Sequence, residues 1–345
     1  MPLLPPIVKR NATFTVLAIT AMVLITAACR RQEKTIRIDG EAQGSYYSIQ
    51  YYDAENRRFD NAVDSLLHAF DQEVSLWEEN SLLRRVNNNQ EHVISPLFAD
   101  ILQKSIDIGH YTDGAFDCRI GRIVQAWGFS FKLQEPLNDS IIDAMLDVAR
   151  QPVAIETDAE GRICIRKAPG TEIDFNAIAQ GYASDLIAAY LLQQGVENFL
   201  VDIGGEVVAH GSKPDGSTWR VGIEQPAATR YSEPEVALCI GLHNLSVVTS
   251  GSYRKYYERD GIRYSHTIDP TTGRPVTHSL LSVSVVDSSA WRADALATAF
   301  MVMGMDSAMR FIVQHEPSLP VFFIYDERGR QHCIATPAFE QLITE

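Results

Sequence analysis

The chain has 345 residues, 46% of them hydrophobic, with a formal charge of −14. That length and apolar content suit one large domain or two ordinary ones with a sizeable core, and exclude a disordered chain. The acidic balance excludes the basic surface that non-specific nucleic-acid binding needs, so no nucleic-acid partner is expected.

Residues 1–28 read as a targeting segment. Lys9 and Arg10 form a positive n-region, and Ala12 to Ala28 is an apolar run of signal-peptide length, too short for a spanning helix. The run ends in Ile25-Thr26-Ala27-Ala28-Cys29, which resembles a bacterial lipobox. That resemblance implies diacylglycerol attached to Cys29 and cleavage before it; two acyl chains make a stable anchor where one does not. An ordinary signal peptide with a chance cysteine is the alternative. Cleavage removes Lys9 and Arg10 and leaves a charge of −16. The chain is therefore expected as a bacterial membrane lipoprotein held at the bilayer through Cys29, facing the extracytoplasmic space. Residues 29–41 would be a tether and 42–345 the folded domain. The other cysteines, Cys118, Cys164, Cys239 and Cys333, have wide, irregular spacing without a zinc pattern, and buried free thiols are expected.

Along the domain, Gly44–Tyr52 alternates and reads as a strand, and Phe59–Trp77 as an amphipathic helix with Val63, Leu66, Leu67, Phe70 and Val74 on one face. A turn follows to Asn87, then a helix over Pro96–Thr112 with proline at its start. Leu133–Ala149 is polar and then helical, and Val153–Lys167 is a hairpin turning at Ala159-Glu160-Gly161. Thr171–Gly211 reads strand, helix, strand: Thr171–Phe175, a helix capped by Asn176 and stopped by Gly195, then Phe199–Ile203 closed by Gly204-Gly205. Further strands are expected at Trp219–Ile223, Ala237–His243 and Ser282–Val286. Tyr253–Arg263 holds a turn at Asp260-Gly261. A helix spans Ser289–Met303, and Val321–Tyr325 with His332–Ile334 makes a final hairpin.

Several residues carry chemistry in two readings each. Asp174 sits where a strand meets a helix N-terminus, a place that suits phosphate, or it simply caps the helix. Gly204-Gly205 permits close approach of a ligand, or is only a tight turn. Ala177 and Gly181 mark close packing or a ligand. Asp294 lies on a mostly apolar helix, where a carboxylate is expensive unless paired or metal-bound. Thr298 is one turn away on the same face, and an acid plus a hydroxyl plus a backbone carbonyl suits Mg²⁺. The alternative is an exposed Asp favoured by the helix dipole, with Thr298 bonded back to its own helix. His266 is the general acid–base candidate by pKa, or a structural histidine. Thr249–Ser252 offers hydroxyls, or is a polar loop. No Walker A, GxGxxG or GxSxG motif is present.

Taken in order, eight runs resemble the ApbE family of FAD:protein FMN transferases. They are Gln43–Tyr47; Ser75–Trp77 with Ser81–Arg85 and Asn87; Gly114–Asp117 with Trp127–Phe129; Ile173–Ala183; Phe199–Glu206; Thr249–Gly251; Ser265–Pro275; and Ala293–Thr298. The resemblance implies an α+β fold of antiparallel sheets and packed helices, with the site in a cleft between lobes. It implies a Mg²⁺-dependent enzyme that moves the FMN half of FAD to a threonine hydroxyl of an acceptor flavoprotein and releases AMP. A respiratory or redox membrane-complex subunit would be the acceptor. Asp294 and Thr298 would bind the metal by their side chains and Ala177 by its carbonyl. Gln43, Ala115, Phe116, Asp117, Asp174, Gln180 and Ile268 would line the FAD site, and His266 would stand by the scissile phosphate, with Asp294 as its catalytic partner. Gln43 stands where the family usually carries Met, and Gln180 where Lys or Glu is common. A Mg²⁺-dependent FAD pyrophosphatase and a flavin-binding lipoprotein without turnover are the rival functions.

Overall fold

Period-two alternation builds the centre of the molecule. A computed structural model describes residues 35–129, 135–226, 235–252, 256–259 and 262–344. The targeting segment, Cys29, residues 29–34 of the tether, Leu133 and the Asp260-Gly261 turn lie outside the described residues. In chain order the strands begin with β1 (Thr35–Ala42), β2 (Ser45–Tyr52), β3 (Ala154–Thr157), β4 (Ile163–Arg166), β5 (Asn198–Ile203) and β6 (Glu206–His210). Next come β7 (Trp219–Gln225), β8 (Glu235–Leu242), β9 (Leu245–Gly251), β10 (Tyr256–Arg259), β11 (Ile262–Ser265) and β12 (Ile268–Asp269). The last are β13 (Arg274–Pro275), β14 (Leu280–Asp287), β15 (Val321–Glu327), β16 (Arg330–Ala335) and β17 (Ile343–Thr344). The helices are α1 (Asp60–Val74), α2 (Leu82–Asn87), α3 (Pro96–Tyr111), α4 (Gly121–Ala126) and α5 (Asp139–Ala149), followed by α6 (Ala179–Gln193), α7 (Ala290–Met303), α8 (Met305–His315) and α9 (Pro337–Glu340).

Eight strands form one antiparallel sheet in the order β1-β2-β5-β6-β9-β14-β15-β16. Its two faces bury different partners. Ile49, Val201, Val208, Val248, Val283, Val285 and Phe323 belong to the core shared with the helices. Their neighbours Val207, Val247, Val286, Phe322 and Ile324 point the other way, into a core shared with Trp219, Ile240 and Phe339 on the β17-β8-β7 sheet and α9. A one-residue slip would exchange the two sets, so both cores fix the register. A third cluster joins α4 and α5 to Ile268. The expected α+β architecture of antiparallel sheets and packed helices is the one present. The edge strand β1 starts at Thr35, so it covers the second half of the stretch expected as a tether.

Helix α7 is buried along most of its length between Ala290 and Met301, with Trp291, Arg292 and Thr298 half-buried, because it lies between the sheet and α6. Gly304 (φ 73°) ends it and starts α8, a helix the sequence reading passed over, with Ala308, Phe311 and Ile312 on its buried face. Thr249 and Ser250 belong to β9 and not to a loop. Cys118, Cys164, Cys239 and Cys333 are free thiols; the first two are buried as expected, but Cys239 is half-buried and Cys333 exposed.

Thr171–Phe175 was expected as a strand and is not one; it makes a single parallel bridge, Ile120 to Glu172. Its backbone groups are satisfied by other means. The Asn87 side-chain amide accepts from the Ile173 N–H and donates to the Ile173 carbonyl, both at 2.8 Å, as a strand neighbour would. The Asp174 N–H donates to the Cys118 carbonyl (2.7 Å), and the Glu172 carbonyl accepts from Gly121 (3.0 Å). Buried amides need partners but not a sheet. Asn87→Asp would keep the acceptor and lose the donor, facing a carboxylate to the Ile173 carbonyl. We expect it to lower unfolding stability by about 1–3 kcal/mol, read from the urea midpoint; an unchanged midpoint would show that Asn87 does not hold this segment.

Candidate active site

The site is organised by the contact between α6 and α7. Gly181 and Asp294 meet there: the Gly181 N–H donates to Asp294 Oδ2 at 3.1 Å. Only glycine fits at this point. A Cβ on residue 181 would lie 2.4 Å from the Ala290 carbonyl oxygen and 2.8 Å from Asp294 Cβ, and a backbone atom cannot move aside as a flexible side chain can. The contact runs in both directions. Asp185, one turn along α6 from Gly181, accepts from the N–H groups of Ala290 and Trp291 at the start of α7, both at 3.0 Å. Each helix therefore gives a carboxylate to the amides of the other. Ser184 ties α6 to the sheet by donating to the Glu206 carbonyl at 2.9 Å.

The Gly181 bond has a second consequence. In an unbroken helix that N–H would turn back to the carbonyl of Ala177, four residues earlier. Here it goes to Asp294, and among the described residues no backbone N–H is directed to the Ala177 carbonyl. Helix α6 begins at Ala179, with residues 176–178 in a turn, so Asn176 is not its N-cap. Asp174 organises that turn: its Oδ1 accepts from the Asn176 N–H at 2.7 Å. Asp174 is buried, and burial pushes its carboxyl up to about 6, with the Asn176 N–H opposing.

Asp294 is 5% exposed, and burial pushes its carboxyl up to about 7 against the pull of the Gly181 N–H. Among the described residues no Lys, Arg or His is ion-paired with it. Thr298 is half-buried, and its hydroxyl lies 3.3 Å from that of Ser250 on β9. Thr298 is thus directed at the sheet and does not bond back to its own helix. No cluster of three or more His, Cys, Asp or Glu side chains that could hold a metal occurs among the described residues. The donor set is sparse and all oxygen: one carboxylate, one hydroxyl and one released carbonyl. That set fits Mg²⁺, which keeps water or phosphate in most of its positions.

The other expected site residues fall in three places. Ala115 and Phe116 are buried in the core, and the Asp117 carboxylate is held bidentate by Arg119 at 2.8 and 2.9 Å. That segment reaches Asp174 through the Cys118 carbonyl. Gln180 reaches the Gly204-Gly205 turn, where a Cβ on Gly204 would lie 2.5 Å from its Nε2 and 3.3 Å from Ser45 Oγ. The glycine pair is a tight β5–β6 turn (φ 67° and 107°), and what approaches Gly204 closely is the Gln180 side chain. Gln43 sits in the β1–β2 turn at φ 55°, an uncommon conformation for a side chain of its type. Its carboxamide is buried beside the Asp71 carboxyl, which it pulls down against the rise that burial imposes.

His266 and Ile268 lie in the segment that packs against α4. Ile268 packs against Ile120, Ile123 and Trp127, and the His266 ring is edge-on to Phe129 at 6.4 Å. Trp127 Nε1 fixes the following turn by donating to the Gly273 carbonyl at 2.8 Å.

Sequence reading missed Asp185, whereas its close-packing reading of Gly181 is the one the Ala290 and Asp294 contacts bear out. Trp77 is 63% exposed on a loop pinned by Ser75, whose Oγ accepts from the Trp77 N–H at 3.0 Å.

A carboxyl whose folded pKa is raised binds its proton more tightly in the folded state. Stability from Asp294 therefore falls as pH rises from about 4 to about 7, and the penalty is complete above that. Asn at this position keeps the acceptor for Gly181 and has no charge to bury. In the absence of metal, Asp294→Asn should be more stable than the parent at pH 8, on the order of a few kcal/mol, with the gap closing toward pH 4. Urea titrations at the two pH values check this; a gap independent of pH would contradict the buried charge.

Comparison with known proteins agrees with this geometry. The ApbE family model matches residues 43–323. The chain is 34% identical to the FAD:protein FMN transferase of Vibrio cholerae, over 88% of this chain and 91% of that protein. It is 32% identical to the FAD:protein FMN transferase of Escherichia coli K12, over 96% and 98%. The solved flavin transferase ApbE from Vibrio cholerae aligns with a TM-score of 0.77 at 30% identity, covering 90% of this chain and 99% of that one. The apo flavinyl transferase ApbE of Pseudomonas stutzeri aligns with a TM-score of 0.77 at 32% identity, covering 91% and 98%. The chain belongs to the ApbE family.

Proposed function

We propose that this protein is an FAD:protein FMN transferase that moves the FMN half of FAD to a threonine hydroxyl of an acceptor protein and releases AMP. The observation that carries the reading is the α6–α7 contact. It buries a carboxylate without a positive partner among the described residues, beside a carbonyl released from its helix. Asp294, Thr298 and the Ala177 carbonyl would hold Mg²⁺. When bound, Mg²⁺ would act as a Lewis acid, neutralising the non-bridging oxygens of the FAD diphosphate.

The chain's own residues do the rest. The turn at 174–180 sets Asp174 and Gln180 along one side of the dinucleotide. Gln43 and the exposed Trp77 ring offer an amide edge and a flat apolar face for its ring systems. His266 takes the proton of the attacking threonine. The threonine oxygen forms a bond to the FMN phosphorus as the bond from that phosphorus to the bridging oxygen breaks, and the AMP phosphate departs with the electron pair. Such transfers depend chiefly on positioning and electrostatics, which rigid helix-borne groups provide.

The test mixes the mature protein with FAD, Mg²⁺ and a threonine-bearing acceptor. A flavin-fluorescent acceptor band on a denaturing gel, with one AMP per label, is the expected result, and Asp294→Ala should abolish both. AMP without a labelled acceptor would instead make the protein an FAD pyrophosphatase. Bound FAD without AMP would make it a flavin binder.

The lipobox at Ile25–Cys29 also supports an extracytoplasmic lipoprotein anchored at Cys29, acting on a membrane redox subunit. Among the described residues no helix is long and apolar enough to cross a membrane. Cys29→Ser should leave the protein unlipidated in a radiolabelled-fatty-acid experiment; label retained in that variant would refute the anchor.

A further inference from the structure

We propose that Asp185 is a positioning residue: from α6 it holds the first two N–H groups of α7, and so fixes where Asp294 and Thr298 stand. This rests on the reading of those two residues as metal-binding groups.

The start of α7 does not need Asp185 for its capping alone. Ser289 already occupies the N-cap with an extended backbone (φ −127°, ψ 126°), the place from which a serine hydroxyl ordinarily caps. Its hydroxyl makes no cap bond. The two amides go instead to a side chain 105 and 106 residues away. A local cap would satisfy the helix but leave it free to slide or turn against α6. A cap from the neighbouring helix satisfies it and sets its position.

With the Gly181–Asp294 bond, Asp185 makes two points of attachment about one turn apart on each helix. Two points fix rotation as well as separation. Asp294 is at the second point, and Thr298 is one turn further along the same face. The arrangement is held at a cost, since Asp185 is largely buried and burial pushes its carboxyl up to about 6. A charge beside it offsets part of that. Lys104 on α3 lies over the rings of Tyr182 (5.7 Å) and Trp291 (5.4 Å), one on each helix. It is ion-paired to Asp100 at 2.6 Å, and Asp100 accepts from the Tyr182 hydroxyl at 2.7 Å. Polar groups that orient metal ligands without touching the metal change affinity by roughly 10–100-fold when removed.

The experiment separates positioning from capping. Mn²⁺ binding to the full mature protein without FAD is measured by electron paramagnetic resonance, and urea unfolding alongside it, for the parent, Asp185→Ala and Asp185→Ala/Ser289→Asp. Asp185→Ala should bind Mn²⁺ at least tenfold more weakly and unfold more easily. Ser289→Asp, a cap on the same helix, should restore stability while metal binding stays weak. Recovery of metal affinity in the double variant, or full affinity in Asp185→Ala, would reduce Asp185 to a helix cap and overturn the proposal. Asp185→Asn, which keeps one acceptor, carries the same comparison should Asp185→Ala not fold, with an intermediate loss of affinity expected. Absence of Mn²⁺ binding in the parent would overturn the metal reading and this proposal with it, whereas failure of positioning alone leaves the parent's affinity intact.

Discussion

Two helices can approach as closely as α6 and α7 only where one presents no side chain. Gly181 is that position, with the Ala290 carbonyl and Asp294 occupying the space a methyl group would take. Everything at the site follows from the short distance. It lets a backbone N–H of one helix reach a carboxylate of the other, lets Asp185 reach back to the start of α7, and frees the Ala177 carbonyl at the same time. The alanines of α7 keep the helix slim in its packed surroundings, and Ala293, Ala297 and Ala299 are fully buried.

The electrostatics have one theme. Asp174, Asp185 and Asp294 are all buried, and all three are pushed upward by desolvation, to between about 6 and 7. Three buried, backbone-bonded acids, one in the turn before α6, one on α6 and one on α7 against it, form an expensive arrangement in a chain already strongly negative. A dinucleotide adds further negative charge. The site can accept it only with a cation present, which is the physical reason the proposed chemistry and the donor set point the same way. Solvated carboxylates elsewhere, such as Asp39 beside Arg37 and Asp60 beside Arg58, are held below the usual range and need no such explanation.

Much of this was readable from the chain. The alternating strand β2, the short apolar strands β5, β14 and β15 and the apolar helix with a lone acid were legible, and the acid drew attention because its neighbours were apolar. The runs around Asp174, His266 and Asp294 carried the family. What stayed hidden depended on contacts distant in sequence. Thr171–Phe175 has a strand's composition, but a side-chain amide 86 residues earlier replaces its strand partner. Asp185 looks like any polar residue on a helix until the start of α7 is placed against it. Gly181 reads as close packing or a ligand approach, and only the neighbouring backbone decides for packing. The missed helix α8 is a different case, since Ala308, Phe311 and Ile312 recur at helical spacing and the pattern was there to be seen.

The central claim is that a divalent cation gripped by Asp294 and Thr298 meets the diphosphate at the α6–α7 corner. Crystals of the protein grown with FAD and Mn²⁺ test it most directly, through anomalous scattering at the manganese edge. The account predicts an anomalous peak within coordination distance of Asp294, Thr298, the Ala177 carbonyl and a diphosphate oxygen. A peak elsewhere, or FAD bound with its diphosphate away from that corner, would contradict it.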